Sequence, residues 1–116
     1  MTATLYGIKN CDTVKKARRW LDEHGYEYRF HDFRGDGLEP ATATLWIDRH
    51  GWKAVLNQRS ASWRGLNEST RAGMDDSGAV SAVINQPTLI KRPVLVRGSD
   101  QVFGFDPLAY ESLLNL

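Results

Sequence analysis

The first 33 residues leave this chain few folds to choose from. Residues 4–8, Thr4-Leu5-Tyr6-Gly7-Ile8, read as a short buried strand. Over 12–24, Val14, Ala17 and Leu21 recur at helical spacing, with Lys15, Lys16, Arg18, Arg19 and Asp22 largely on the other face. Asn10 or Asp12 is placed to cap this helix and Gly25 to end it. Tyr26, Tyr28 and Phe30 then alternate with Glu27, Arg29 and His31, the period of a half-buried strand. Strand, helix, strand in that order predicts a parallel pair joined by a right-handed crossover.

The middle of the chain changes character. From Glu39 to Gln86 the patterns are short and helical. Pro40 suits a first helical position, with a helix running to His50 and stopping at Gly51. Asn67 to Met74 gives a weaker helical pattern. Ser77 to Gln86 gives a stronger one, with Ala79, Val80, Val83 and Ile84 as its apolar stripe and Pro87 ending it. The last third returns to β structure. Val94-Leu95-Val96, a turn at Gly98-Ser99-Asp100 and Val102-Phe103-Gly104-Phe105 predict an antiparallel hairpin. Asp106 and Pro107 then open a C-terminal helix whose apolar face is Tyr110, Leu113 and Leu114. This is an α/β chain: a βαβ-ββα core over 1–36 and 88–116, with an all-helical insertion at about 37–87 between the second and third strands.

Bulk properties narrow the function classes. A chain of 116 residues suits a single domain that buries enough surface to fold without a disulfide or structural metal. A net charge of +1 argues against broad binding to nucleic acid or a membrane surface. No apolar run approaches the ~18 residues that span a bilayer. The N-terminal residues lack a charged region followed by an apolar one, so a cytoplasmic, reducing setting is expected. His24, His31 and His50 are scattered, and with one cysteine they supply no metal-binding spacing.

The chemistry concentrates at Cys11, the sole cysteine. It lies on the loop after the first strand, at the carboxyl end of a βαβ unit, where ligands bind. A helix start favours the thiolate, the reactive form of the side chain. The backbone N–H groups from Cys11 to Val14 are expected to form an anion-binding nest, flanked by Lys9, Asn10 and Thr13. The bland alternative is a buried core cysteine, but its neighbours Lys9, Asn10 and Asp12 are polar. One cysteine also excludes an internal disulfide, so any redox cycle needs an outside thiol. Two arginines are the candidate anion binders. Arg92 directly precedes Pro93, where an extended backbone and a cis bond are expected to wall the cleft. Arg59 follows Leu56-Asn57-Gln58. A guanidinium at either position can grip a carboxylate or oxyanion in two-pronged fashion.

Three segments together carry a resemblance. The first strand with Cys11 and its helix start, Leu56-Asn57-Gln58-Arg59, and Leu89-Ile90-Lys91-Arg92-Pro93-Val94-Leu95 resemble the arsenate reductase (ArsC) family, which also holds the Spx regulators and small YffB-like proteins. The likeness spans essentially the whole chain. It implies a thioredoxin-like fold with a helical insertion, in agreement with the element order above. It further implies that Cys11 attacks the substrate, that Arg59 and Arg92 hold its anionic part, and that glutathione and glutaredoxin complete the cycle. Three positions depart from the family pattern: a late arginine of the hairpin appears as Phe105, a histidine of the first-strand loop as Gly7, and a serine-arginine pair after the cysteine as Val14-Lys15. With these groups gone, the resemblance implies a glutathione-dependent thiol-disulfide reductase first. Glutathione would be its co-substrate, a small-molecule or protein disulfide its substrate, and no cofactor would be tightly bound. Arsenate reduction is the alternative. A non-enzymatic, Spx-like partner of RNA polymerase is the other alternative, and its CxxC switch is missing because Val14 takes the second cysteine's place.

Overall fold

A computed structural model describes residues 2–115. In chain order its elements are β1 (Ala3–Gly7), α1 (Asp12–Glu23), β2 (Tyr28–Asp32), α2 (Phe33–Asp36), α3 (Pro40–His50), α4 (Trp52–Val55), α5 (Ala61–Arg64), α6 (Glu68–Ala72), α7 (Asp76–Asn85), a 3-10 turn (Pro87–Leu89), β3 (Val94–Arg97), β4 (Asp100–Phe103) and α8 (Pro107–Leu114). Two units form. The first joins the segments up to Gly37 and from Arg92 onward, and the second is Leu38–Lys91.

In the first unit the strands lie in the order β2-β1-β3-β4. β1 pairs in parallel with β2, Leu5 opposite Phe30, and antiparallel with β3, Leu5 opposite Leu95. β1 alternates between buried and half-buried positions, as a strand covered on one face does. Ala17 and Leu21 of α1 pack on Ala3, Leu5 and Leu95 of the sheet, and Tyr110 and Leu113 of α8 complete this core. The end of α1 explains where β2 begins. Gly25, at φ +71°, donates to the Asp22 carbonyl (3.2 Å), and Tyr26 donates to the Leu21 carbonyl (3.0 Å). That pair of bonds spends the Tyr26 N–H on the helix end, so the ladder starts at Tyr28 rather than Tyr26. At the hairpin, Arg97 faces Asp100 across a two-residue Gly98-Ser99 turn, one residue tighter than the sequence implied. Gly104 then turns to φ +85°, which leaves Phe105 outside β4.

The second unit is helical. Ala43, Trp46 and Ile47 of α3 are buried where α3 packs on α7, whose buried residues are Ala79 and Val83. Asn67 caps α6 by accepting from Thr70 N–H (2.8 Å), and Asp75 caps α7 by accepting from Gly78 N–H (2.7 Å). Leu56 and Ile90 form an isolated antiparallel bridge. It is flanked by bonds from Asn57 N–H to Leu89 O and from Lys91 N–H to Val55 O, both 2.8 Å. The helices α2, α4 and α5 were not anticipated; each has four residues, about one turn, too short to display a period. Among the described residues, no helix is long and apolar enough to cross a membrane.

Tyr110 joins α8 to the sheet end. Its hydroxyl donates to the Gly104 carbonyl at 2.9 Å inside the core. Burial raises its pKa above the usual phenol value, and the nearby Asp106 carboxylate raises it further. The unfolded phenol ionises near pH 10 while the folded one stays neutral. Stability therefore stands below pH ~10 and falls as the pH climbs above it. Tyr110→Phe removes that alkaline component and leaves the Gly104 carbonyl unpaired, at a cost of about 1–3 kcal/mol near neutrality. Urea unfolding of both proteins at pH 7 and pH 10.5 (roughly half a unit above the free phenol) measures both effects.

Candidate active site

Cys11 sits at the carboxyl end of β1, the centre-left strand of the sheet. Ile8 is buried (4% exposed), whereas Lys9 and Asn10 are exposed, so the chain leaves the core at Ile8 and crosses to α1 in three residues. Cys11 is the N-cap of α1, not Asn10 or Asp12 as the sequence suggested. The reason lies in the backbone. Cys11 is the last extended residue (φ −145°, ψ 122°), and its carbonyl already accepts the first helical bond, from Lys15 N–H at 2.9 Å. No side chain caps the helix. The amides of Asp12, Thr13 and Val14 therefore have no carbonyl a turn back and, among the described residues, no side-chain acceptor. Cys11 is half-buried and Thr13 is exposed.

Arg92 and Pro93 reach the same end of the sheet from β3. In the antiparallel register Thr4 faces Val96 and Tyr6 faces Val94, so Arg92 and Pro93 directly precede the β3 residue that pairs near the carboxyl end of β1. The Arg92-Pro93 peptide is cis, and the Pro93 carbonyl accepts from Gly104 N–H at 2.8 Å. Arg92 is half-buried, and its Nε is buried with no hydrogen-bond partner among the described residues. An unpaired buried donor is costly, about 1–3 kcal/mol or more for a charged group, and suits an acceptor brought by a ligand. Among the described residues no group of three His, Cys, Asp or Glu could hold a metal ion.

The three departures from the family pattern acquire a packing explanation. A Cβ added at Gly7 would lie 2.8 Å from Val14 Cγ2, closer than side chains approach. Gly7 and Val14 are thus one fitted contact between β1 and α1. Phe105 is held in an aromatic cluster, edge-on to Tyr110 (centroids 5.5 Å apart) and to Trp20 (6.4 Å).

Arg59 belongs to the second unit and is presented by a local turn. Its N–H donates to Asn57 Oδ1 (3.0 Å), Ser60 Oγ donates to the Asn57 carbonyl (2.7 Å), and Arg64 donates to the Arg59 carbonyl. The backbone is held while the side chain stays exposed. Lys53 and Lys91 line the same cleft as Arg59 and were missed from sequence. Their signal was faint: Lys91 adjoins Arg92, but nothing in the spacing ties Lys53 to either.

A cysteine at the start of α1 and a cis-proline just before β3, on a βαβ-ββα sheet, define a thioredoxin-like protein. Residues 6–113 match the ArsC family, and the chain belongs to it. It is similar to the solved YFFB (PA3664) protein, at 45% identity and a TM-score of 0.92, covering 97% of this chain and 99% of that one. An ArsC-related protein from Brucella melitensis is 41% identical, with a TM-score of 0.80 over 100% of this chain and 97% of its own. An uncharacterized protein of Haemophilus influenzae is 42% identical over 94% of this chain and 96% of its own. At lower identity stand proteins named as regulators, such as MgsR of Bacillus subtilis, at 28% over 90% of this chain and 83% of its own.

The Gly7–Val14 fit has a measurable consequence. Gly7→Ala should destabilise the fold by about 1–3 kcal/mol through overpacking. Val14→Ala alone should also destabilise, by leaving a void. In the double variant the two costs should fall short of their sum, because the new methyl fills the space vacated. Urea denaturation of the four proteins reads the coupling, and strictly additive costs would show that no such contact exists.

Proposed function

We propose that this protein is a glutathione-dependent thiol-disulfide reductase with Cys11 as its nucleophile. The observation that supports the reading is a half-buried Cys11 at the N-cap of α1, on the same sheet end as an Arg92 whose buried Nε has no hydrogen-bond partner among the described residues. The thiolate of Cys11 attacks one sulfur of a disulfide. The other sulfur leaves as a thiolate and takes a proton from solvent. Glutathione thiolate then attacks the mixed disulfide, forms the new S–S bond and returns Cys11 to its reduced form. A second glutathione thiolate then displaces the remaining substrate thiol from that new disulfide, so two glutathiones together supply the two electrons and leave as oxidised glutathione, with no bound cofactor. The amides of Asp12 to Val14 and the Arg92 guanidinium receive the carboxylate of the substrate or of glutathione, and Lys9, Asn10 and Thr13 border the cleft.

The family membership leaves two other readings to be separated by experiment. Incubation with oxidised glutathione should give a single mixed-disulfide adduct by intact mass, absent in Cys11→Ser. Reduced glutathione should then release it with saturable kinetics. Arg92→Gln should slow adduct formation about 10- to 100-fold, the worth of a charge-assisted hydrogen bond of ~1.5–3 kcal/mol. Arg92→Lys, which keeps the charge without the Nε donor, should recover part of the rate. Arsenate turnover with glutathione and glutaredoxin that outpaces disulfide reduction would replace this reading with arsenate reduction. Retrieval of RNA polymerase subunits without either turnover would replace it with a regulator.

A further inference from the structure

We propose that the outward face of α1 beside Cys11 is a docking surface for acidic protein segments, so that the disulfides this protein opens are ones flanked by Asp and Glu. The proposal rests on the thiol-disulfide reductase reading and names its substrate class. Charge is segregated along the chain. Residues 9–19 carry five of the 15 Lys and Arg (Lys9, Lys15, Lys16, Arg18 and Arg19) and one of the 14 Asp and Glu (Asp12), a net +4. The whole chain carries +1, so the remaining residues carry −3, ten cations against thirteen carboxylates. The helix turns most of these cations to solvent. Val14, Ala17 and Leu21 are buried, so Lys15, Lys16 and Arg19 take the opposite side and are exposed, as is Lys9 in the loop before the thiol. Arg18 differs: its Nε donates to the Tyr28 hydroxyl (3.1 Å), and its guanidinium lies 4.2 Å from the Phe30 ring centroid.

Carboxylates that could cancel this charge are close in sequence but do not. Asp12 and Lys16 stand four apart on the helix, as do Arg19 and Glu23, the spacing of an intrahelical ion pair. Yet among the described residues none of Lys9, Lys15, Lys16 and Arg19 is in an ion pair. Helical side chains lean toward the amino end, which carries the cations of α1 toward Cys11 at its N-cap. At 1.5 Å of rise per residue, Lys15 and Lys16 start about 6–8 Å along the axis from Cys11, and Arg19 about 12 Å. The screening length at physiological salt is about 8 Å, so these charges act together on what approaches the thiol. Steering of this kind raises association rates about 10- to 1,000-fold. A nucleic acid fits the face less well than an acidic segment. Asp12, Asp22 and Glu23 border the cations at both ends of the helix and repel a long run of phosphates, and a nucleic acid brings no disulfide to Cys11.

Three short peptides test this on the full chain. Each has a central cysteine joined by a disulfide to thionitrobenzoate, flanked on both sides by a pair of Glu, of Gln or of Lys. The Cys11 thiolate attacks the peptide sulfur and forms the new S–S bond, and the electron pair of the broken bond leaves on thionitrobenzoate, whose colour reports the rate. At about 0.01 M salt, where the screening length is about 30 Å, the Glu peptide should react about 10- to 100-fold faster than the Lys peptide. At about 1 M salt the ratio should fall to within about 3-fold. The triple variant Lys15→Gln, Lys16→Gln, Arg19→Gln should collapse the low-salt ratio to the same extent. A change in the reactivity of the thiol alters all three rates alike, so the ratio isolates docking. Arg29→Gln, an exposed change opposite Thr4 toward the amino end of β1, should leave the ratio unchanged. Equal rates for the three peptides overturn the proposal and leave the reductase reading standing, whereas no release from any of them overturns both. A preference that survives the triple variant also overturns it. So does a DNA duplex that suppresses the Glu-peptide reaction at micromolar concentration, which would reassign the face to nucleic acid.

Discussion

The contact between Gly7 and Val14 sets the geometry of everything at the carboxyl end of β1. β1 lies between β2 and β3 and is the strand to which the other two register. For α1 to lie on this sheet with Ala17 and Leu21 in the core, its first turn must come down against the end of β1. Val14 is fully buried there, and the absence of a side chain at Gly7 is what lets it seat. The three-residue crossing from Ile8 then has one way to close, with Cys11 as the last extended residue before the helix. The position of the thiol is thus fixed by a packing constraint four residues earlier in the chain.

The same constraint governs the polarity of the site. A histidine at position 7 would collide with Val14, and a polar residue at 14 would be buried against the strand without room for its partner. Phe105 is likewise committed, since it shares an aromatic cluster with Trp20 and Tyr110, and the Tyr110 hydroxyl is itself tied to Gly104. Gly7, Val14 and Phe105 are thus each engaged in packing, Val14 fully buried and Phe105 half-buried against the core. In the proposed reading, the groups of the first unit that meet an anion are the backbone of the first helical turn and the Arg92 guanidinium.

How much of this was legible in the sequence follows from the physics of each element. The βαβ unit was readable because Val14, Ala17 and Leu21 repeat at helical spacing while the flanking segments alternate, and each period persists long enough to register. α3 was readable from Pro40 and Gly51, which mark both ends by their own backbone limits. One-turn helices such as α4 and α5 show no period, and they are held by caps and bridges whose partners lie elsewhere in the chain. Cys11 was found because a lone cysteine after a strand is conspicuous. Its role as the cap was not, because cysteine is a poor cap by composition and only the dihedral angles decide. Lys53 shows the same limit from another side: its place beside Arg59 and Lys91 depends on a bridge between residues 34 apart, Leu56 and Ile90.

The buried state of position 14 also bears on how a thiol at Cys11 is returned to its reduced form. In a two-cysteine switch the second sulfur must reach the first in line with the bond being broken, and it must be accessible to ionise. Here the residue three positions on is wholly enclosed between α1 and the end of β1. The place a second cysteine would take at this spacing is filled by the buried Val14 side chain, seated against Gly7. With a single thiol in the sequence, the proposed redox cycle requires a thiol from outside the chain, and Lys9, Asn10 and Thr13 around Cys11 are exposed.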